Sequence, residues 1–173
     1  HGVPGYEADT YGMVFGVDTE LSNTARLGIA FTYAKTDVDG DAARQNADIK
    51  TYQFSFYGSH SLDAVTNLNW QADMATHDNE GRRVITLLGG GVAKSDYDSR
   101  SAHLGLGLAR AYTMSPQTTL TPSVRLDYTR VRADSYTETG TPAPLLLNVG
   151  SDTTSELILG VDGKLSHALA GID

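Results

Sequence analysis

Several short stretches of this chain hold the residue types that metal, phosphate or acyl chemistry uses. Asp37 to Asp41, "DVDGD", crowds carboxylates as a calcium loop does. An EF-hand loop needs glycine at its sixth position, however, and Ala42 stands there. A solvated external loop is the expectation, and Ser95 to Arg100, "SDYDSR", reads in the same way as a loop tip. Gly89 to Gly91 is followed by neither the lysine nor the hydroxyl of a phosphate-binding loop, so a bend is expected. Around Ser59, "YGSHS" lacks the second glycine of a nucleophile elbow. His1, His60, His77, His103 and His167 show no paired metal spacing. The carboxylate pairs Glu7 with Asp9 and Asp96 with Asp98 read as loop solvation. These stretches give no catalytic centre, cofactor or metal site, and the expectation is a protein that is not an enzyme.

The elements that carry these residues are more informative than the residues themselves. The 173-residue chain suffices for one domain, and its 40% hydrophobic content argues against wholesale disorder. It contains no cysteine, which excludes disulfides and thiolate metal sites and suits a secreted or envelope protein. A net charge of -8 argues against nucleic acid as a partner. There is no apolar run approaching the roughly 18 residues of a membrane helix. The first ten residues, "HGVPGYEADT", have neither the basic start nor the apolar core of a signal peptide.

Seven segments alternate apolar and polar side chains, the pattern of a strand with two unlike faces. They are Thr10 to Leu21, Ala25 to Lys35, Thr51 to His60, Asn67 to Ala75, Ala102 to Tyr112, Thr119 to Arg130 and Thr154 to Leu165. In the fifth, Leu104, Leu106 and Leu108 oppose His103, Gly105, Gly107 and Ala109. In the sixth, Val124, Leu126 and Tyr128 oppose Ser123, Arg125, Asp127 and Thr129. An all-β fold is therefore expected. The polar faces are charged: Arg26, Asp73, Arg125, Asp127, Glu156 and Asp162 all lie opposite the apolar residues.

The links between segments sort by length. Short ones ("SNT", "SLDAV", "MSPQT") alternate with long polar ones at Thr36 to Lys50, Thr76 to Ser101 and Val131 to Thr153. A soluble sandwich gives no reason for such sorting. An up-and-down antiparallel transmembrane β-barrel does, with short turns on one side and long loops outside. Strands of roughly ten residues cross an apolar band of about 25 Å, and Tyr11, Tyr33, Tyr52 and Tyr128 sit where an aromatic girdle would lie. The apolar face would then meet lipid and the charged face a wet lumen. Seven strands are odd, whereas bacterial single-chain barrels have an even number. Orientation of the turns places an odd number of further strands before His1 and an even number, or none, after Asp173. The expectation is one β-barrel domain over residues 1–173, incomplete at both ends.

"GYEADTYGMVFGVDTELSNTARLGIAFTYAKTDVDG", "KTYQFSFYGSH" and "TPSVRLDYTRVRADSYTETG" resemble the translocator domain of autotransporters, the type V secretion family. "SDTTSELILGVDGKLSHAL" is similar to the next strand of that family, so the resemblance covers nearly the whole chain in order. It implies a twelve-stranded barrel in the Gram-negative outer membrane, of which this chain supplies roughly the second to the eighth strand. It further implies export or anchoring of an N-terminal passenger whose connecting segment threads the lumen. Arg26, Gln53, Asp73, Arg125, Asp127, Glu156 and Asp162 would contact water and that segment. The plainer alternative is that these charges pair across the barrel and fill its interior. The implied partners are outer-membrane lipid, the passenger segment and the outer-membrane assembly machinery. Arg82 and Arg83 could offer guanidinium groups to a lipopolysaccharide phosphate, but a solvated loop, which needs no partner, is the expectation. A small outer-membrane adhesin binding through its loops is the second functional reading. A soluble β-sandwich enzyme or lectin is the third, and it requires the Tyr, Phe and Leu faces to form a core.

Overall fold

A computed structural model describes residues 5–40, 45–86, 90–142 and 145–168. Seven long strands run up and down in chain order: β1 (Tyr6–Ser22), β2 (Ala25–Gly40), β3 (Gln45–Ser61), β4 (Thr66–Ile85), β5 (Gly91–Arg110), β7 (Thr118–Ala133) and β10 (Asp152–His167). Each pairs antiparallel with the next, in the order β1-β2-β3-β4-β5-β7-β10. A short strand β6 (Tyr112–Ser115) adds to β7, and β8 (Tyr136–Thr137) pairs with β9 (Asn148–Val149) in a small separate hairpin. No helix among the described residues is long and apolar enough to cross a membrane. The chain is thus an all-β antiparallel sheet.

Its polarity is inverted. Asp73 is 8% exposed, whereas its neighbour Met74 is 74% exposed. Phe15, Phe54, Leu104, Leu126 and Leu159 are likewise exposed, while Ser55, Asn79 and Ser99 are buried. An apolar surface this continuous far exceeds the few hundred Å² that a soluble monomer leaves bare, and each large side chain would cost about 1.5–3 kcal/mol in water. Lipid removes that cost, because it is as apolar as the side chains it touches. A soluble sandwich would place Phe15, Phe54 and Leu104 in a core between two sheets, and they stand on the exposed outer face instead.

The inner face is one concave surface. Val14 of β1, Thr32 of β2, Asn69 and Gln71 of β4 and Arg125 of β7 line a single cavity of about 370 Å³. The sheet therefore curls far enough to bring side chains of its early and late strands to one space. Among the described residues β1 and β10 each carry one unpaired edge, and both faces of these two strands are largely exposed.

Glycine makes room where a ring lies flat on the inner face. Gly28 pairs with Tyr57 across β2 and β3, and the Tyr57 ring occupies the space that a Cβ at Gly28 would need. Gly28→Val is expected to destabilise the folded domain by about 1–3 kcal/mol through overpacking. Urea unfolding would show this as a lowered midpoint, and adding Tyr57→Ala should recover most of it. A midpoint equal to that of the unsubstituted domain would contradict the packing described.

The strands outrun the segments that alternation marks. Thr36–Gly40, Gln45–Lys50, Thr76–Ile85 and Gly91–Ser101 belong to β2, β3, β4 and β5, although their polarity reads as loop. Both "DVDGD" up to Gly40 and "SDYDSR" are strand, not loop tip; Asp41 lies outside the described residues, as do His1 and Gly89. The physical reason is that strands rising beyond the membrane have water on their outer face, so no apolar alternation is required there. Lys35 meets Asp37 at 2.7 Å and Asp48 at 3.2 Å on this extension, giving the outer face charge pairs in place of apolar rows. The short links stay short. At the turn between β3 and β4, Asp63 Oδ1 accepts the amide hydrogens of Val65 and Thr66 at 2.8 and 2.7 Å, and these bonds hold its carboxyl below the usual range.

Candidate functional site

The inner face is built by strand parity. Odd-numbered residues of β3, β4, β5 and β7 point inward along the sheet, and register sets Ser55 opposite Asp73, Asp73 opposite His103, and His103 opposite Thr129. A polar cluster follows from that register. His103 Nδ1 lies 2.6 Å from Asp73 Oδ2, and its Nε2 lies 2.9 Å from Asp127 Oδ1. Both contacts are hydrogen bonds only when each ring nitrogen carries a hydrogen. Gln71 Nε2 donates to both oxygens of Asp73, at 3.1 and 2.8 Å. Arg125 Nε donates to both oxygens of Asp127 at 2.9 Å. The guanidinium of Arg125 crosses the place a side chain at Gly105 would fill, so the absent Cβ is what admits it.

Of the seven residues singled out by pattern, Asp73, Arg125 and Asp127 are thus joined through His103. Gln53 is near them, donating from Nε2 to Ser55 Oγ at 3.0 Å. Arg26 stands apart at the short-turn end, paired with Asp18 at 3.3 Å and Glu20 at 2.8 Å. Glu156 and Asp162 lie on β10 and are not part of the cluster; Asp162 Oδ1 accepts the Gly163 amide hydrogen at 2.6 Å. Arg26, Asp73, Arg125 and Asp127 thus each meet a neighbouring side chain on this face.

Farther toward the long-link end, a second inward group was not singled out by pattern. Thr51 Oγ1 lies 2.8 Å from His77 Nδ1, and His77 Nε2 lies 3.0 Å from Ser101 Oγ. Buried Asn79 donates to the carbonyls of His77 and Tyr97 and to Ser99 Oγ. Continuing the inward parity of β4 past Ala75 would have found His77 and Asn79.

The described residues of the link between β7 and β10 fold inward over this end. Glu138 is 5% exposed; its Oε2 meets Arg83 Nη2 at 2.5 Å and accepts the Leu147 amide hydrogen at 2.9 Å. Tyr136 stacks on Tyr97 with ring centroids 4.6 Å apart. Tyr136, Glu138 and Leu147 share a cavity of about 420 Å³ with Tyr6 and Gln45 across the opening. Arg83 is thus committed to Glu138, and the phosphate role considered for Arg82 with Arg83 loses one of its two groups.

The Arg83 pair and the Leu147 amide hold the Glu138 carboxyl below its ordinary value of 4.5. Its folded-state value is lowered, so the contact is complete at neutral pH and lost only as pH falls below the ordinary value. Amide-exchange protection of residues 134–142 and 145–151, corrected for the intrinsic rate, should hold through pH 4.5 and fall only at lower pH. Loss of protection already at pH 5–6, above the ordinary carboxylate range, would contradict it.

Apolar side chains outward, a charged and hydrogen-bonded face inward and long strands running up and down define a membrane-spanning β-sheet of the outer-membrane barrel class. The family model described as autotransporter beta-domain matches residues 1–171, and the chain belongs to that family, which places it in the Gram-negative outer membrane. It is 33% identical over 153 residues to outer membrane protein A of Rickettsia conorii, covering 80% of this chain and 7% of that protein. It is 28% identical over 162 residues to the extracellular serine protease of Serratia marcescens, covering 91% of this chain and 15% of that protein. The fold superposes on the translocator domain of autotransporter NalP from Neisseria meningitidis with a TM-score of 0.83 at 16% identity, over 98% of this chain and 58% of that one. The chain thus spans a small part of the curated relatives' length and somewhat over half of the solved translocator domain.

Proposed function

We propose that this chain is part of a translocator domain that anchors and exports an N-terminal passenger, with the passenger's connecting segment running along the inner face. The observation that carries this reading is the inverted polarity: Met74 faces outward bare while Asp73, beside it, is shielded within a hydrogen-bonded inner face. Such a face offers donors and acceptors to an extended or helical backbone without demanding a particular sequence, as transport of varied cargo requires. Arg26, Gln53, Asp73, Arg125, Asp127, Glu156 and Asp162 are the proposed contacts, together with Gln71 and His103. The role is passage and anchorage, not catalysis. Insertion by the outer-membrane assembly machinery belongs to the same proposal.

Photo-crosslinking tests it. A benzophenone side chain at position 53 or 125 of the full-length protein should crosslink to the segment preceding this domain, and one at position 106 should crosslink to lipid. Crosslinks to that segment from position 106 alone would overturn the proposal.

A further inference from the structure

Three arginines stand together on the outward face, just above the apolar band. Arg100 and Arg132 are register partners across β5 and β7, and Arg130 lies opposite Ala102, one outward position nearer the membrane. All three are exposed. Arg26, Arg83, Arg110 and Arg125 each meet a carboxylate within 3.8 Å, whereas Arg100, Arg130 and Arg132 meet none among the described residues. The nearest acidic groups on the same face in register, Asp78 and Asp98, lie one outward position farther from the membrane. In a chain of net charge -8, three adjacent unpaired arginines form a distinct positive patch.

The register row that holds two of them also carries aromatic rings. Register carries the row of Arg100 and Arg132 through Thr76 to Tyr52 and Tyr33. Those two tyrosines pack with centroids 5.3 Å apart, as expected of an interfacial belt. Beside the arginines lies an apolar trough of about 500 Å³, lined by Phe31, Phe54, Met74 and Ala102 and by all three arginines. Charge at headgroup level and an apolar trough at acyl level thus occur in one continuous site.

We propose that this site binds a phosphorylated lipid of the outer leaflet, its headgroup phosphate held by Arg100, Arg130 and Arg132 and one acyl chain lying in the trough. Guanidinium forks match phosphate oxygens bidentately, and a basic cluster at a membrane surface selects anionic headgroups. The long arginine stems lie along the apolar surface while their charge reaches the headgroups. The site rests on membrane embedding alone, so failure of passenger transit along the inner face would leave it standing.

The test uses the full-length protein in detergent, titrated with lipid A, with bound lipid counted by native mass spectrometry. R100Q/R130Q/R132Q should weaken binding at least about tenfold, and lipid A stripped of its phosphates should bind the unsubstituted protein equally weakly. Lys94→Gln, also outward-facing but nearer the β4–β5 link, should leave binding unchanged. Heat-modifiable mobility on gels checks that each variant is folded. If the triple variant does not fold, the three single variants carry the test, each with about a threefold loss. Undiminished lipid A binding in the folded variants would overturn the proposal. So would displacement of lipid A by excess inorganic phosphate, which would mark a free-anion site to which the trough adds nothing.

Discussion

Leu106→Arg should cost the membrane-inserted domain about 2–4 kcal/mol and deplete it from the outer membrane, whereas Gln53→Arg should be tolerated. Leu106 is 52% exposed on the outward face, in the row formed by Leu126, Trp70 and Leu159, midway along the apolar band. A guanidinium there has no carboxylate in its row and must drag water into hydrocarbon or distort the bilayer. Gln53 points to the inner face, beside Ser55, where another donor finds water and acceptors. The comparison is internal, since both substitutions introduce the same group at strand centres. Outer-membrane fractions and heat-modifiable mobility of full-length variants would read it out. Equal depletion by both would mean that the two faces are wrongly assigned.

His103→Leu should destabilise the folded domain by about 3 kcal/mol, because it strands two carboxylates that His103 now bridges. Asp73 is the more sensitive of the pair, being largely shielded and left with only the neutral donors Ser55 and Gln71. Asp127 keeps Arg125. Adding Asp73→Asn and Asp127→Asn to His103→Leu should recover much of the loss, since neutral amides carry no unpaired charge. Urea unfolding of the domain in vesicles distinguishes the cases. A His103→Leu domain as stable as the original would mean that the bridge contributes nothing.

The spanning part of the fold was legible because two solvents impose alternation. Leu104, Leu106 and Leu108 against His103, Gly105 and Gly107 mark a strand with two unlike faces, and the sorted link lengths set lipid on one side and a polar interior on the other. The outer ends were not legible for the same reason in reverse. Asp37, Asp96 and Asp98 lie on strands with water on their outer face, and nothing in their spacing separates such a strand from a loop. Parity also placed Asp73, Arg125 and Asp127 on one face, yet their linkage through His103 depends on register between strands, which no single segment encodes. Arg83 and Glu138 are 55 residues apart and meet because the last long link folds inward. Sequence spacing carries no signal for that contact. The arginine trio is similar: Arg100 lies in an acidic run that reads as solvated loop, and only pairing of β5 with β7 sets it beside Arg132.

What defines this sheet is the inversion itself, lipid outside and water inside. The absence of cysteine from these 173 residues allows single cysteines to be placed without background from this domain. Spin labels at positions 54, 106 and 126 and at 53, 71 and 125, in the full-length protein reconstituted in vesicles, can be probed with oxygen and with an aqueous nickel chelate. The expected result is oxygen access without nickel access at the first three positions, and nickel access at the second three. Nickel access at 54, 106 and 126 with protection at 53, 71 and 125 would mean that the apolar face is the wet one.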